Sequence, residues 1–181
     1  VQTGLLLESD GRSLLVDCGS GVLHRLAGPD VGYEGVSSVL LTHTHLDHVS
    51  DLLALLKARW LAGEEHLEVV GPAGTKSLLD GLLDIHDYLD GRVDLSVREI
   101  GPTAVSVAGF DVSATRMDHS VKCLAYRFSG ADGDVVYSGD GEASASLASF
   151  ADGAAVLAHD CSFPDDVDVA THPTASQLGE V

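Results

Sequence analysis

Apolar and polar positions change their period several times along the chain, and the changes outline its elements. "TGLLLESDGRSLLVDCG" reads as two β runs around a Ser-Asp-Gly hairpin signal. "SGVLHRLAG" is a short helical stretch closed by Gly28-Pro29, and "VSSVLLTH" a buried strand. In "DHVSDLLALLKARWLAG", Val49, Leu52, Leu53, Leu56 and Trp60 recur at helical spacing. "HLEVVGP" predicts another strand and "GTKSLLDGLLDIHDYLDG" another helix. From Val93 to Tyr137 the pattern alternates and turns, predicting four or five antiparallel strands with a hairpin at Gly130-Ala131-Asp132-Gly133. "EASASLASFADG" is helical and "AAVLAHD" a strand. "PTASQLGEV" opens a last helix, with Pro173 near its first turn. Strand–helix alternation, a β-rich middle and renewed alternation predict a mixed β-sandwich covered by helices.

Composition narrows the class. The chain has 181 residues with 45% hydrophobic content, enough for a single domain over residues 1–181 with its own core. No apolar run reaches membrane-spanning length. The first residues read as a strand already under way and the last as an unfinished helix, so truncation at both ends is expected. The net charge is −18, from 10 Lys+Arg against 28 Asp+Glu, and the lysines are only Lys57, Lys76 and Lys122. Such a surface repels phosphate backbones at low salt and resembles that of halophilic proteins. Melting temperature should therefore rise with potassium chloride up to about 1 M, where the Debye length falls to roughly 3 Å; a flat or falling trend in a thermal melt would contradict this. Three widely spaced cysteines, Cys18, Cys123 and Cys161, predict buried free thiols in a reducing, cytoplasmic compartment rather than a disulfide framework.

The densest chemistry is His43-Thr44-His45-Leu46-Asp47-His48, at the end of a predicted strand. After a strand, His43 and His45 fall on one side, and Asp47 and His48 fall at the entry to the helix. That arrangement serves two neighbouring metals, whereas a helical pair would need i,i+4 spacing. Imidazole and carboxylate suit zinc, and also iron or manganese. Further donors are few: His119 in "TRMDHS", Asp140 in "VVYSGDG", His159 in "VLAHDC" and His172 in "VATHPTAS", at strand ends or just before a helix. His24 and His86, in helical patterns, and His66, in a loop, are expected to pack or face solvent.

This order of motifs resembles the metallo-β-lactamase superfamily. The resemblance implies an α/β, four-layer αββα sandwich with a dinuclear metal site. By the same resemblance, His43, His45 and His119 hold the first metal, and Asp47, His48 and His172 the second. Asp140 bridges both, and Asp17 of "LLVDCG" supports the ligands from behind. Asp140 separates the chain from true β-lactamases, and Met117-Asp118-His119-Ser120 from the glyoxalase II pattern. "YSGDG", "AHDCSF" and "THPTASQLGEV" resemble motifs of ribonuclease Z, the tRNA 3′-processing endonuclease. Two departures stand out: Gly141 takes the place of that family's threonine, and His159-Asp160-Cys161-Ser162 that of its His-Glu-Ala-Thr. Only residues 120–139 join His119 to Asp140, so the tRNA-clamping arm is missing, as is a basic tRNA-holding surface.

The reading that follows is a dinuclear metal-dependent phosphodiesterase or ribonuclease Z-like nuclease. Two metals about 3.5–4 Å apart would generate a bridging hydroxide and clamp an in-line displacement. Asp47 would orient or deprotonate the water, and His159 would protonate the leaving group, its tautomer held by Asp160 or a neighbour. The expected substrate is a small-molecule phosphodiester ahead of an RNA 3′ end, with a homodimer by analogy and no membrane. The alternatives are another hydrolase on the same site, acting on a lactone, thioester, sulfate ester or β-lactam, and a non-catalytic metal-binding module.

Overall fold

The computed structural model describes residues 3–28, 31–64, 66–167, 169 and 171–180. Pro29, the expected stop of the first helix, and the outermost residues Val1 and Val181 lie outside them. The chain divides into two compact units, Val1–Ile100 with Val107–Gly109, and Gly101–Ser106 with Phe110–Val181.

In the first unit, β1 (Leu5–Ser9) and β2 (Arg12–Val16) form the expected hairpin, with Ser9 opposite Arg12. Asp10 and Gly11 both have positive φ, 51° and 73°, as a two-residue turn matching the strand twist requires. The sheet continues as β3 (Ser38–Leu40), β4 (His66–Gly71) and β5 (Asp94–Glu99) in the order β1-β2-β3-β4-β5, all parallel from β2 onward. Each parallel step is a helical crossover: α1 (Val22–Leu26), then α2 (Leu46–Val49) with α3 (Leu52–Leu61), then α4 (Thr75–Ile85). Leu15, Val39, Leu41 and Val69 are buried with Leu52, Leu55 and Leu56 of α3 and Leu79 of α4.

Three expectations are corrected in this unit. The strand at 94–99 is parallel to β4, not part of an antiparallel run, because α4 returns the chain to the same end of the sheet. The single helix expected from Asp47 onward is broken between Val49 and Leu52. There the Asp51 N–H donates to Cys18 O, and the Asp51 carboxylate accepts from the N–H groups of Gly21 and Leu23, tying this turn to the start of α1. His66 is not in a loop; it begins β4 and sits 2.9 Å from the Asp94 carboxylate.

Arg59 is buried at the end of α3 and holds three main-chain carbonyls: Nη1 donates to Tyr33 and Glu34, and Nη2 to His66. Arg59→Leu would strand all three carbonyls and should lower the unfolding free energy by about 3 kcal/mol. Arg59→Lys should recover only part, since an ammonium lacks the planar fork. Denaturant titration of both variants measures this.

In the second sheet, β6 (Ala104–Val107), β7 (Phe110–Met117), β8 (Cys123–Phe128), β9 (Val135–Tyr137) and β10 (Val156–Ala158) stand in the order β10-β9-β8-β7-β6. β7, β8 and β9 are antiparallel neighbours, whereas β10 runs parallel to β9 after the crossover α5 (Ala145–Ala151). Met117, Cys123, Ala125 and Val136 pack on Leu147 of α5. Helix α6 (Ala175–Gly179) starts with a capping box between Thr174 and Gln177, and Pro173 precedes that cap. Cys18 and Cys123 are buried and outside any disulfide, as expected, but Cys161 is exposed, because the chain has left β10 for a loop. Among the described residues, no helix is long and apolar enough to cross a membrane.

Candidate metal centre

The first unit gathers His43, His45 and His48 where β3 gives way to α2. His43 and His48 are buried, with ring centroids 4.0 Å apart, and the His43 and His45 rings meet edge-on at 4.8 Å. His43 Nε2 and His45 Nδ1 stand 3.1 Å apart. Two nitrogens on one tetrahedral zinc at about 2.0 Å are separated by roughly 3.3 Å, so the pair fits as two ligands of one ion. Asp47 is half exposed, its carboxylate 3.9 Å from His48 Nε2. Leu46, between two candidate ligands, is 76% exposed.

The segment is held rigidly from behind. Asp17, fully buried with φ 59°, occupies the left-handed region that Asp tolerates better than most residues. Its Oδ1 accepts from Thr42 N at 2.8 Å; its Oδ2 accepts from Thr42 Oγ1 at 2.8 Å and faces His48 Nδ1 at 2.8 Å. Asp17 thus stands directly behind Thr42 and His48. Thr42 was not singled out in the sequence, although it directly precedes the first histidine. Gly19 is required here, since a Cβ at that position would lie 1.8 Å from the Asp47 carbonyl oxygen.

The second unit gathers His119, Asp140, Asp160 and His172. The His119 and His172 rings are 5.4 Å apart at near right angles, and His172 Nδ1 is 4.0 Å from the Asp140 carboxylate. Ligand atoms of Asp140, Asp160 and His172 lie within 4.8 Å of one another. The His119 and Asp140 loops are clamped together: Glu142 N donates to Asp118 O at 3.3 Å, and the Cys123 thiol to Asp140 O at 3.2 Å. Gly141 has φ 147°, and a Cβ there would sit 3.1 Å from Asp118 O, which explains its place after Asp140.

Asp160 plays two parts. Its main-chain carbonyl accepts from His159 Nδ1 at 2.8 Å, while its carboxylate meets His172 Nδ1 at 2.5 Å and accepts from Ser162 Oγ. His159 therefore gains its tautomer from the backbone of Asp160, and the side chain serves His172, a role the sequence did not reveal. His159 Nε2 is buried. Burial pushes the His159 imidazole below the ordinary histidine value; the Asp160 carbonyl and the charges of Asp160 and Asp140 offset this only in part.

The family model described as Anti-Pycsar protein Apyc1 matches residues 1–181. A ribonuclease Z from Mycobacterium sp. (strain KMS) is 32% identical over 192 residues, covering 97% of this chain and 67% of the relative. The chain thus spans about two thirds of that relative's length. Among solved structures, the metallo-beta-lactamase fold protein YhfI from Bacillus subtilis is similar at 29% identity, with a TM-score of 0.82 over 98% of this chain and 72% of that one. Human tRNase Z, short form, shares the fold at a TM-score of 0.83 and 18% identity, over 99% of this chain and 80% of that one.

Proposed function

We infer that this chain, which belongs to the Anti-Pycsar protein Apyc1 family and carries the metallo-β-lactamase fold, is a metal-dependent hydrolase of the ribonuclease Z-like branch that cleaves phosphodiesters. By family resemblance its seven proposed ligands are His43, His45, Asp47, His48, His119, Asp140 and His172, which would hold two divalent cations, zinc ahead of manganese or iron. The observation that carries this reading is the part-buried histidine cluster whose His43 and His45 nitrogens stand at the spacing of two ligands on one ion. Bound divalent cations would polarise the phosphoryl oxygens and acidify a water molecule. The half-exposed Asp47 carboxylate can accept the proton of an attacking water, and Asp17 holds His48 through its Nδ1.

Leaving-group protonation is assigned to His159. One observation favours a second reading for this step. The Asp160 carboxylate meets His172 Nδ1 and orients that ring, so His172 can take the place of His159 as the proton donor instead of ligating metal. A small-molecule phosphodiester remains the preferred substrate class, supported by the short connection from His119 to Asp140 and the net charge of −18. Halophilic behaviour is proposed from that charge, a cytoplasmic setting from the free thiols, and a homodimer by analogy.

The test is a substrate panel on the metal-reconstituted chain at low and high salt. Hydrolysis of bis-p-nitrophenyl phosphate well above that of nitrocefin or a thioester is expected. Preference for either of the latter would move the assignment to the other hydrolases, and inactivity on all three with metal bound to a binding module.

A further inference from the structure

We propose that Thr42 is a positioning residue, its hydroxyl relaying the Asp17 carboxylate to His43 so that one buried acid sets the tautomers of both His43 and His48. Protons must be assigned consistently along the chain of contacts. A carboxylate only accepts, so the single proton of the Thr42 hydroxyl points to Asp17 Oδ2 at 2.8 Å. The Thr42 oxygen can then only accept from His43 Nδ1 at 3.0 Å, which places a proton on that nitrogen. His48 Nδ1 faces the same Asp17 oxygen at 2.8 Å and must carry a proton for the same reason. In its neutral form each ring is then left with a lone pair on Nε2, the form in which an imidazole binds a metal. Thr42 and Asp17 are fully buried, so water does not compete for these contacts. The Thr42 N–H, donating to Asp17 Oδ1 at 2.8 Å, fixes the carboxylate against rotation.

The relay makes His48 directly backed by an anion and His43 backed through a neutral hydroxyl. Groups behind metal-bound histidines are typically worth about 10–100-fold in metal affinity. Thr42→Val keeps the shape, removes the relay and leaves His43 free to place its proton on Nε2.

This inference rests on the reading of His43 as a ligand, and the test separates the two. Long-range ¹H–¹⁵N correlation spectra of the metal-free wild-type protein should show the proton on Nδ1 of both His43 and His48. In Thr42→Val, His43 should populate the Nε2–H form while His48 keeps Nδ1–H. Chelator competition with zinc should show one of the bound ions weakened by about 10–100-fold, with Thr42→Ser restoring both readouts. An Nε2–H signal for His43 in the wild type, or wild-type zinc affinity in Thr42→Val, would overturn the proposal. Should Thr42→Val fail to fold, the wild-type spectra still decide. A wild-type chain with both Nδ1–H signals that binds no zinc would support the relay and overturn the metal reading.

Discussion

Asp140→Ala should yield a folded chain that has lost at least one metal ion and nearly all hydrolytic activity. In the proposed ligand set, Asp140 would serve both ions, so a single truncation would remove a ligand from each. The main chain around it is held independently of its side chain, by the Cys123 thiol on Asp140 O and by Glu142 N on Asp118 O. The melting temperature of the metal-free variant should therefore stay close to that of the metal-free wild type. Loss of metal-based charge stabilisation is worth several kcal/mol, which corresponds to a rate drop of about a thousandfold or more. Elemental analysis after zinc or manganese reconstitution, on variant and wild type together, checks this. A wild type holding one ion or none, or an Asp140→Ala chain retaining two, would sink the dinuclear assignment.

The second large effect concerns the proton donor. His159→Ala should retain both metals and lose activity by roughly 10²–10⁴-fold on substrates with high-pKa leaving groups. The loss should be smaller on bis-p-nitrophenyl phosphate, because nitrophenolate departs without a proton. The pH dependence has a definite sign. A general acid works only while protonated, and burial holds His159 below the ordinary histidine value. His159-dependent activity in the free enzyme should therefore be present at low pH and fall as pH rises through that lowered value. His172→Ala is the companion measurement. If His172 ligates metal, its loss lowers the metal count and both substrates suffer alike. If instead it is the donor backed by Asp160, the metals stay, His172→Ala carries the leaving-group dependence, and His159→Ala does not. Metal content and two rates on each purified variant assign the role.

Much of this was legible in one dimension because it depends on local rules. The β1–β2 hairpin follows from Asp10-Gly11, whose positive φ values only a few residues accept cheaply. The histidine motif was readable because its donors are two to five residues apart, a spacing that the backbone after a strand converts directly into proximity. Asp17 was assigned through family resemblance, and the structure places its carboxylate against His48 Nδ1.

The sequence by itself determined which residues are candidates for the chemistry and which element precedes most of them, since periodicity and motif spacing are properties of neighbours along the chain. Only the tertiary structure decided which side chains meet. The strand at 94–99 became parallel because α4 intervenes, a matter of connection rather than composition. The long helix broke at Asp51 because its carboxylate is claimed by N–H groups 28 and 30 residues away. Asp160 turned from its neighbour His159 toward His172, twelve residues on, because a carboxylate in a half-buried loop takes the donor that packing brings to it. Hydrogen-bond partners of that kind are selected by burial and approach, which no local pattern records.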